Sequence, residues 1–154
     1  MAEFVISVAT VEDTELLVKH RIEMFIDILP EMRKQAQDLE VPTREWIKTK
    51  LLESKLIGFI VKTQDSEVVG SGCIWLRNEP PRIFSPDLES PYLMSIYTEK
   101  GFRQRGVASI IVKSAIDWCK QKGFHTISLH ASEAGIPIYA AFGFKPTSEM
   151  RLSL

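Results

Sequence analysis

Six consecutive residues, Arg103-Gln104-Arg105-Gly106-Val107-Ala108, stand between a strand-forming run, Tyr92–Thr98, and a run of helical periodicity, Gly106–Lys122. A strand, a short glycine-containing loop and a helix start, in that order, can seat an anion. The first turn of a helix leaves its amides unpaired and carries partial positive charge, and successive free amides cradle a phosphate or pyrophosphate. Gly106 lets the backbone approach closely, Ala108 keeps the first turn uncrowded, and Arg103 and Arg105 add positive charge. The other residues with chemical potential form no comparable pattern. Gly70-Ser71-Gly72 is half a dinucleotide fingerprint, but no third glycine and no helix follows, so a weak strand or bulge is expected there. His20, His125 and His130 show neither ligand spacing nor carboxylate company, and no metal is expected. Cys73 and Cys119 read as small buried residues rather than nucleophiles.

The elements that must position this loop follow from periodicity. Phe4–Val8 is a short strand candidate, and Thr10-Val11-Glu12-Asp13 has the form of a capping box. Leu16, Leu17, His20, Met24 and Ile28 recur at helical spacing up to Pro30; Glu31–Leu39 is a second helical stretch. A third begins at Pro42-Thr43, with Trp46, Ile47, Leu51 and Leu52 as its apolar stripe. The period then changes. Leu56–Thr63 and Val68–Arg77 flank Gln64-Asp65-Ser66-Glu67, a hairpin signal. Asn78–Pro91, with four prolines, reads as a long surface loop. Gly106–Lys122 has Val107, Ile110, Ile111, Ala115 and Trp118 on one face, and Gly123 stands at its left-handed C-cap position. Ile127–Ala131 is the next strand, Gly135–Phe142 a short helix, and Phe144–Leu154 offers one or two closing strands. The order is βααα-ββ-β-α-β-α-β, a mixed α/β fold with its strand–helix–strand unit in the second half.

Composition bounds what such a protein does. At about 150 residues per domain, 154 residues argue for one domain over 1–154. A formal net charge of -1 gives no warrant for binding nucleic acid. No apolar run reaches the length of a membrane span, and no signal peptide opens the chain. Two cysteines are too few for a disulfide scaffold, so a cytoplasmic, reducing compartment is expected.

The loop and its flanking elements resemble the coenzyme-A-binding motif of the GNAT superfamily of N-acetyltransferases. A second stretch at the right distance, Ser132-Glu133-Ala134-Gly135-Ile136-Pro137-Ile138-Tyr139-Ala140-Ala141-Phe142-Gly143-Phe144, is similar to that family's Asn-x-x-Ala-x-x-Leu-Tyr-x-x-x-Gly-Phe. It matches at Tyr139, Gly143 and Phe144, with Ile138 for Leu, Ser132 for Asn and Gly135 for Ala. Lys100 stands where the family often has Pro. The two signatures cover about a third of the chain.

The resemblance implies a central mixed, twisted sheet of about six to seven strands with helices on both faces. Acetyl-CoA would lie in a V-shaped splay between Tyr92–Thr98 and Ile127–Ala131. Its pyrophosphate would rest on the amides of Gln104, Arg105, Gly106, Val107 and Ala108, and its pantetheine arm would pair with the backbone of Ile96 and Thr98. Ser132, Gly135 and Tyr139 would lie under the arm and the thioester. An N-acetyltransferase of this kind moves acetyl from acetyl-CoA directly to a primary amine, without a metal. Tyr139 is the candidate proton donor: with an ordinary pKa near 10 it stays protonated at neutral pH and can protonate a thiolate of pKa about 8.5. A backbone amide near Tyr97 is the candidate oxyanion donor. None of Glu23, Asp27, Glu31, Glu79, Asp87 and Glu99 is singled out as general base. The acceptor, a small-molecule or peptide amine, would meet the N-terminal helices and the Asn78–Pro91 loop, where Met24 and Phe25 could line a pocket and Arg82 could hold a carboxylate. A non-catalytic acyl-CoA-binding module is the alternative, and a homodimer through the C-terminal strand is compatible with both.

Overall fold

The structure, a computed structural model, describes residues 2–154. Strand β1 (Phe4–Val8) leads through a 3-10 turn, capped reciprocally by Thr10 and Asp13, into α1 (Thr14–Ile28). After Pro30 come α2 (Arg33–Asp38) and α3 (Glu40–Leu52), then β2 (Leu56–Thr63), β3 (Val68–Asn78) and β4 (Glu89–Thr98). Helix α4 (Val107–Gln121) crosses over to β5 (Ser128–Leu129), and α5 (Ile136–Ala141) follows. The strands form one sheet in the order β1-β2-β3-β4-β5, antiparallel until β5, which joins β4 in parallel.

Alternation along the strands sends residues to two cores, one on each face. Phe59, Val61, Val69 and Ile74 meet Val107, Ile111, Val112 and Ala115 of α4. Cys73 and Leu56, on the opposite face, meet Leu17, Val18, Ile22 and Ile26 of α1 and Ile47 of α3. Helices therefore cover both faces, as mixed sheets of this kind require. The Gly70-Ser71-Gly72 triplet lies in β3, and its glycines set how closely α4 approaches. A Cβ on Gly70 would stand 2.7 Å from both the Tyr97 carbonyl oxygen and Val107 Cγ1, and one on Gly72 would stand 2.6 Å from Ile111 Cγ2. The start of α4 thus sits down on a strip of bare backbone.

Four expectations are corrected. The sheet has five strands rather than six or seven. No regular element follows α5, although Met150, Leu152 and Leu154 alternate there; β5 is two residues long and offers almost no ladder for a further strand to copy. Pro91 belongs to β4 rather than to the loop: it pairs with Leu76 near the strand start, one residue before β5 joins at Tyr92, a position where a missing N–H is tolerated. At α1, Ile28 and at α3, Leu52 are exposed rather than part of the apolar stripe.

Candidate active site

Strand β4 carries an extra residue opposite β3. The register passes from Ser71↔Tyr97 to Cys73↔Met94, and Ser95 takes a left-handed φ of 57°. A bulge of this kind bends the strand and re-aims its side chains. Its consequence lies on the other edge. The parallel ladder to β5 covers only Tyr92↔Ser128 and Leu93↔Leu129. Beyond Leu93 the two strands part, leaving the backbone of Met94 to Thr98 without a ladder partner on that side. This is also why the expected strand Ile127–Ala131 shrinks to Ser128–Leu129: its neighbour bends away.

The gap leads to the loop after β4. Gln104 has φ 61° and Gly106 φ 82°, the latter as N-cap of α4. Among the described residues, no main-chain or side-chain acceptor pairs with the amides of Gln104, Arg105, Gly106, Val107 or Ala108. Gln104, Arg105 and Gly106 are exposed, and a Cβ on Gly106 would meet open space, so only the left-handed backbone demands glycine there. The two arginines are otherwise engaged. Arg103 donates through Nε to the Thr98 carbonyl (3.0 Å), pairs through Nη2 with Asp27, and lies over the Tyr97 ring; Arg105 pairs with Glu3 and lies over Phe4 and Phe102. The exposed donors of this loop are therefore main-chain amides, and the arginine side chains are held by the surrounding elements.

At the other end of the gap is a cavity of about 600 Å³, whose wall includes Ile96, Ser132 and Tyr139. Tyr139 projects from α5 beside Gly135 and meets Phe144 edge-on at 5.9 Å between centroids. A Cβ on Gly135 would stand 2.7 Å from Tyr139 Cε2. Glycine at that position therefore seats the ring, a role that spacing along the chain does not reveal. Burial pushes the Tyr139 phenol above its ordinary pKa, so it remains a proton donor through neutral and mildly alkaline pH.

The opposite wall of the cavity is formed by Arg21, Met24 and Phe25 of α1, Trp46 of α3, Trp75 of β3 and Tyr92 of β4. Met24 and Phe25, for which core packing is the default and a pocket the alternative, line the cavity. Trp46, expected on the apolar stripe of the third helix, meets Trp75 edge-on at 5.2 Å, and both form part of this wall. Arg82 is not there; it is exposed and paired with Glu79. None of the six acidic residues considered for base catalysis lines the cavity. Glu99 binds His20, Asp27 binds Arg103, Asp87 binds His125 and Glu79 binds Arg82 and Arg77.

The histidines correct the sequence reading, for each has carboxylate company. His20 is fully buried, with Nδ1 2.7 Å from Ser71 Oγ and Nε2 3.1 Å from Glu99 Oε1; burial pushes its pKa down, although Glu99 opposes the shift. His130, on the cavity wall, has Nε2 2.7 Å from Glu149 Oε2, and its Nδ1 faces the Tyr92 hydroxyl. Spacing could not reveal these pairs, because their members lie on different elements. No group of three or more His, Cys, Asp or Glu with metal-site geometry occurs among the described residues. Both cysteines are buried, which pushes their thiols to about 12 (Cys73) and about 11 (Cys119), out of the nucleophilic range.

The Acetyltransferase (GNAT) family pattern matches residues 21–144, four fifths of the chain, including the loop before α4 and every residue of the cavity wall. The chain belongs to the GNAT acetyltransferase family. As a member it is an acyltransferase whose acetyl donor is acetyl-CoA. A GCN5-related N-acetyltransferase from Ralstonia eutropha superposes with a TM-score of 0.91 at 23% identity, covering 98% of each chain. A predicted acetyltransferase from Clostridium acetobutylicum, solved with acetyl-CoA, superposes with 0.84 at 24% identity, covering 98% of this chain and 95% of the other. An aminoglycoside N-acetyltransferase in complex with CoA gives 0.68 at 18% identity, with 98% and 93% covered. At such identities the likeness is one of fold. No curated protein sequence matches the chain. No helix among the described residues is long and apolar enough to cross a membrane.

Proposed function

We propose that the chain acts as one catalytic domain over 1–154 and transfers acetyl from acetyl-CoA to a primary amine by direct attack, with Tyr139 protonating the departing thiolate. The observation that carries this reading is the continuity of the groove: unpaired amides at Gln104–Ala108, an unpaired β4 edge from Met94 to Thr98, and Tyr139 on the cavity beyond. Free amides would hold the diphosphate. The Ile96 and Thr98 main chain would pair with the pantetheine amides as a strand would, with the Thr98 carbonyl already accepting from Arg103. An amide near Tyr97 would stabilise the oxyanion of the tetrahedral intermediate.

The attacking amine must shed a proton. Of the titratable groups on the cavity wall, Arg21 stays charged and the two tyrosines stay protonated, which leaves His130. With Glu149 accepting from Nε2, the free lone pair of His130 sits on Nδ1, facing the Tyr92 hydroxyl. The amine proton passes to the Tyr92 oxygen as the Tyr92 proton passes to His130, so the phenol is restored in the same step. The C–N bond forms, the C–S bond breaks, and Tyr139 gives its proton to sulfur.

Thiol release from acetyl-CoA with a panel of amines tests the reading, alongside thermal stabilisation by CoA, which linkage requires of any binder. Turnover with at least one amine, lost in Tyr139→Phe and reduced in His130→Gln, is the expected result. Stabilisation by CoA with no thiol released for any amine would favour an acyl-CoA-binding module instead.

A further inference from the structure

The acceptor half of the cavity is mostly aromatic and apolar; its polar groups are Thr43, Ser95, the Tyr92 hydroxyl and His130, and its one permanent charge is the Arg21 guanidinium. Arg21 is half-buried on α1; its Nη1 donates to Ser95 Oγ at 2.8 Å, and its guanidinium carbon lies 4.8 Å from the centroid of the Phe25 ring. Six of the seven other arginines pair with a carboxylate, and the seventh, Arg33, is exposed to solvent; Arg21, half-buried on the cavity wall, has no carboxylate within ion-pair distance among the described residues. The ionisable groups nearest to it are Cys73 and Tyr92, both neutral at physiological pH because burial raises them. A cation placed in an apolar wall without a counter-ion is costly unless something brings the charge. No aspartate or glutamate lines the cavity, so a polycationic acceptor would bring several ammonium groups to a wall that offers them only a like charge.

We propose that the acceptor is a small amine that also bears a carboxylate and an apolar or aromatic side chain, the chemical class of the hydrophobic amino acids, with Arg21 as its carboxylate anchor. The inference rests on the groove being the acetyl-transfer site. A guanidinium fork matches a carboxylate in two parallel hydrogen bonds, and one donor held by Ser95 fixes the fork's orientation at the bulge. Trp46, Trp75 and Phe25 supply the apolar wall for the side chain. A volume of about 600 Å³ suits a small molecule together with the acyl end of the donor.

The test measures thiol release at saturating acetyl-CoA with phenylalanine, phenethylamine, spermidine and an aminoglycoside. Phenylalanine should exceed phenethylamine in kcat/KM by about tenfold or more, since a charge-assisted hydrogen bond contributes about that factor. In Arg21→Met that ratio should collapse towards one, while Arg82→Met keeps it. Phenethylamine or a polycation used as well as phenylalanine, or a ratio that survives Arg21→Met, overturns the proposal while leaving acetyl transfer intact. If no amine releases thiol, acetyl transfer itself fails, and the anchor is then judged by binding. A thermal shift of the CoA-loaded protein by N-acetylphenylalanine, lost in Arg21→Met, sustains it; no shift overturns it. Should Arg21→Met not be stabilised by CoA alone, Arg21→Lys, which keeps the charge and loses the fork, is read the same way.

Discussion

Replacing Gly106 separates backbone strain from charge at the proposed diphosphate seat. Gly106 has φ 82° and ψ 8°, and an added Cβ meets no atom within 4 Å. Alanine there adds no clash, only the cost of a left-handed L-residue, about 1–2 kcal/mol. The same strain accompanies glutamate, which also brings a negative charge. A carboxylate about 6 Å from one phosphate charge costs about 0.7 kcal/mol at the dielectric of water and about 3 kcal/mol at an effective value of 20. Gly106→Ala should therefore weaken CoA binding by no more than about 30-fold, and Gly106→Glu by about 10- to 10,000-fold beyond that for the two charges of the diphosphate. Calorimetric titration of CoA at 50 and 500 mM salt is the assay, with melting of the unliganded variants to confirm equal folding cost. Salt should restore part of the glutamate deficit and none of the alanine one. Equal affinities for the glutamate variant and the wild type, or equal salt-independent losses in both variants, would refute the placement of the diphosphate on this loop.

Tyr139→Phe should lower kcat by about 100-fold or more, the scale of general acid catalysis, and leave CoA affinity unchanged; an unaltered kcat removes the acid role. Gly135→Ala places a methyl 2.7 Å from the Tyr139 ring and should lower kcat through displacement of the phenol, again with CoA affinity retained. Gly70→Ala forces a Cβ against the Tyr97 carbonyl at 2.7 Å and should cost about 1–3 kcal/mol, a drop in Tm of about 2–10 °C; a Tm equal to wild type contradicts the close approach of α4. His20 is held neutral by burial, so its folded pKa lies below the unfolded value of about 6.5. Its contribution to stability is full above that pH and is lost as the pH falls below it, because the unfolded chain then binds the proton first. Tm should decline between pH 7 and 5.5, and His20→Gln should flatten that slope; a wild-type Tm constant over the interval counts against the buried neutral imidazole.

The half of the site proposed to hold the diphosphate was legible because it is local. Gly106, the strand before it and the amphipathic helix after it are neighbours in the chain, and their geometry follows from periodicity and a glycine that can take positive φ. The acceptor half was not. Arg21, Trp46, Trp75 and Tyr92 come from four elements; nothing in the local pattern singles out Arg21 or Tyr92, and tryptophans line cavities and cores with the same spacing. His130 looked solitary for the same reason: Glu149, its partner, lies beyond α5 in a segment without periodicity. The bulge at Ser95 leaves no mark in composition, although it decides where β4 and β5 part.

The sequence by itself determined the order of elements, the glycine-bearing turn ahead of α4 and the aromatic hydroxyl of α5, since these depend on hydrogen bonding and side-chain period within a few residues. Only the tertiary structure decided the width of the groove, the arginine left without a counter-ion and the imidazole–carboxylate pair behind Tyr92. Those depend on register and on packing between distant segments, where one extra residue in a strand redirects every contact that follows.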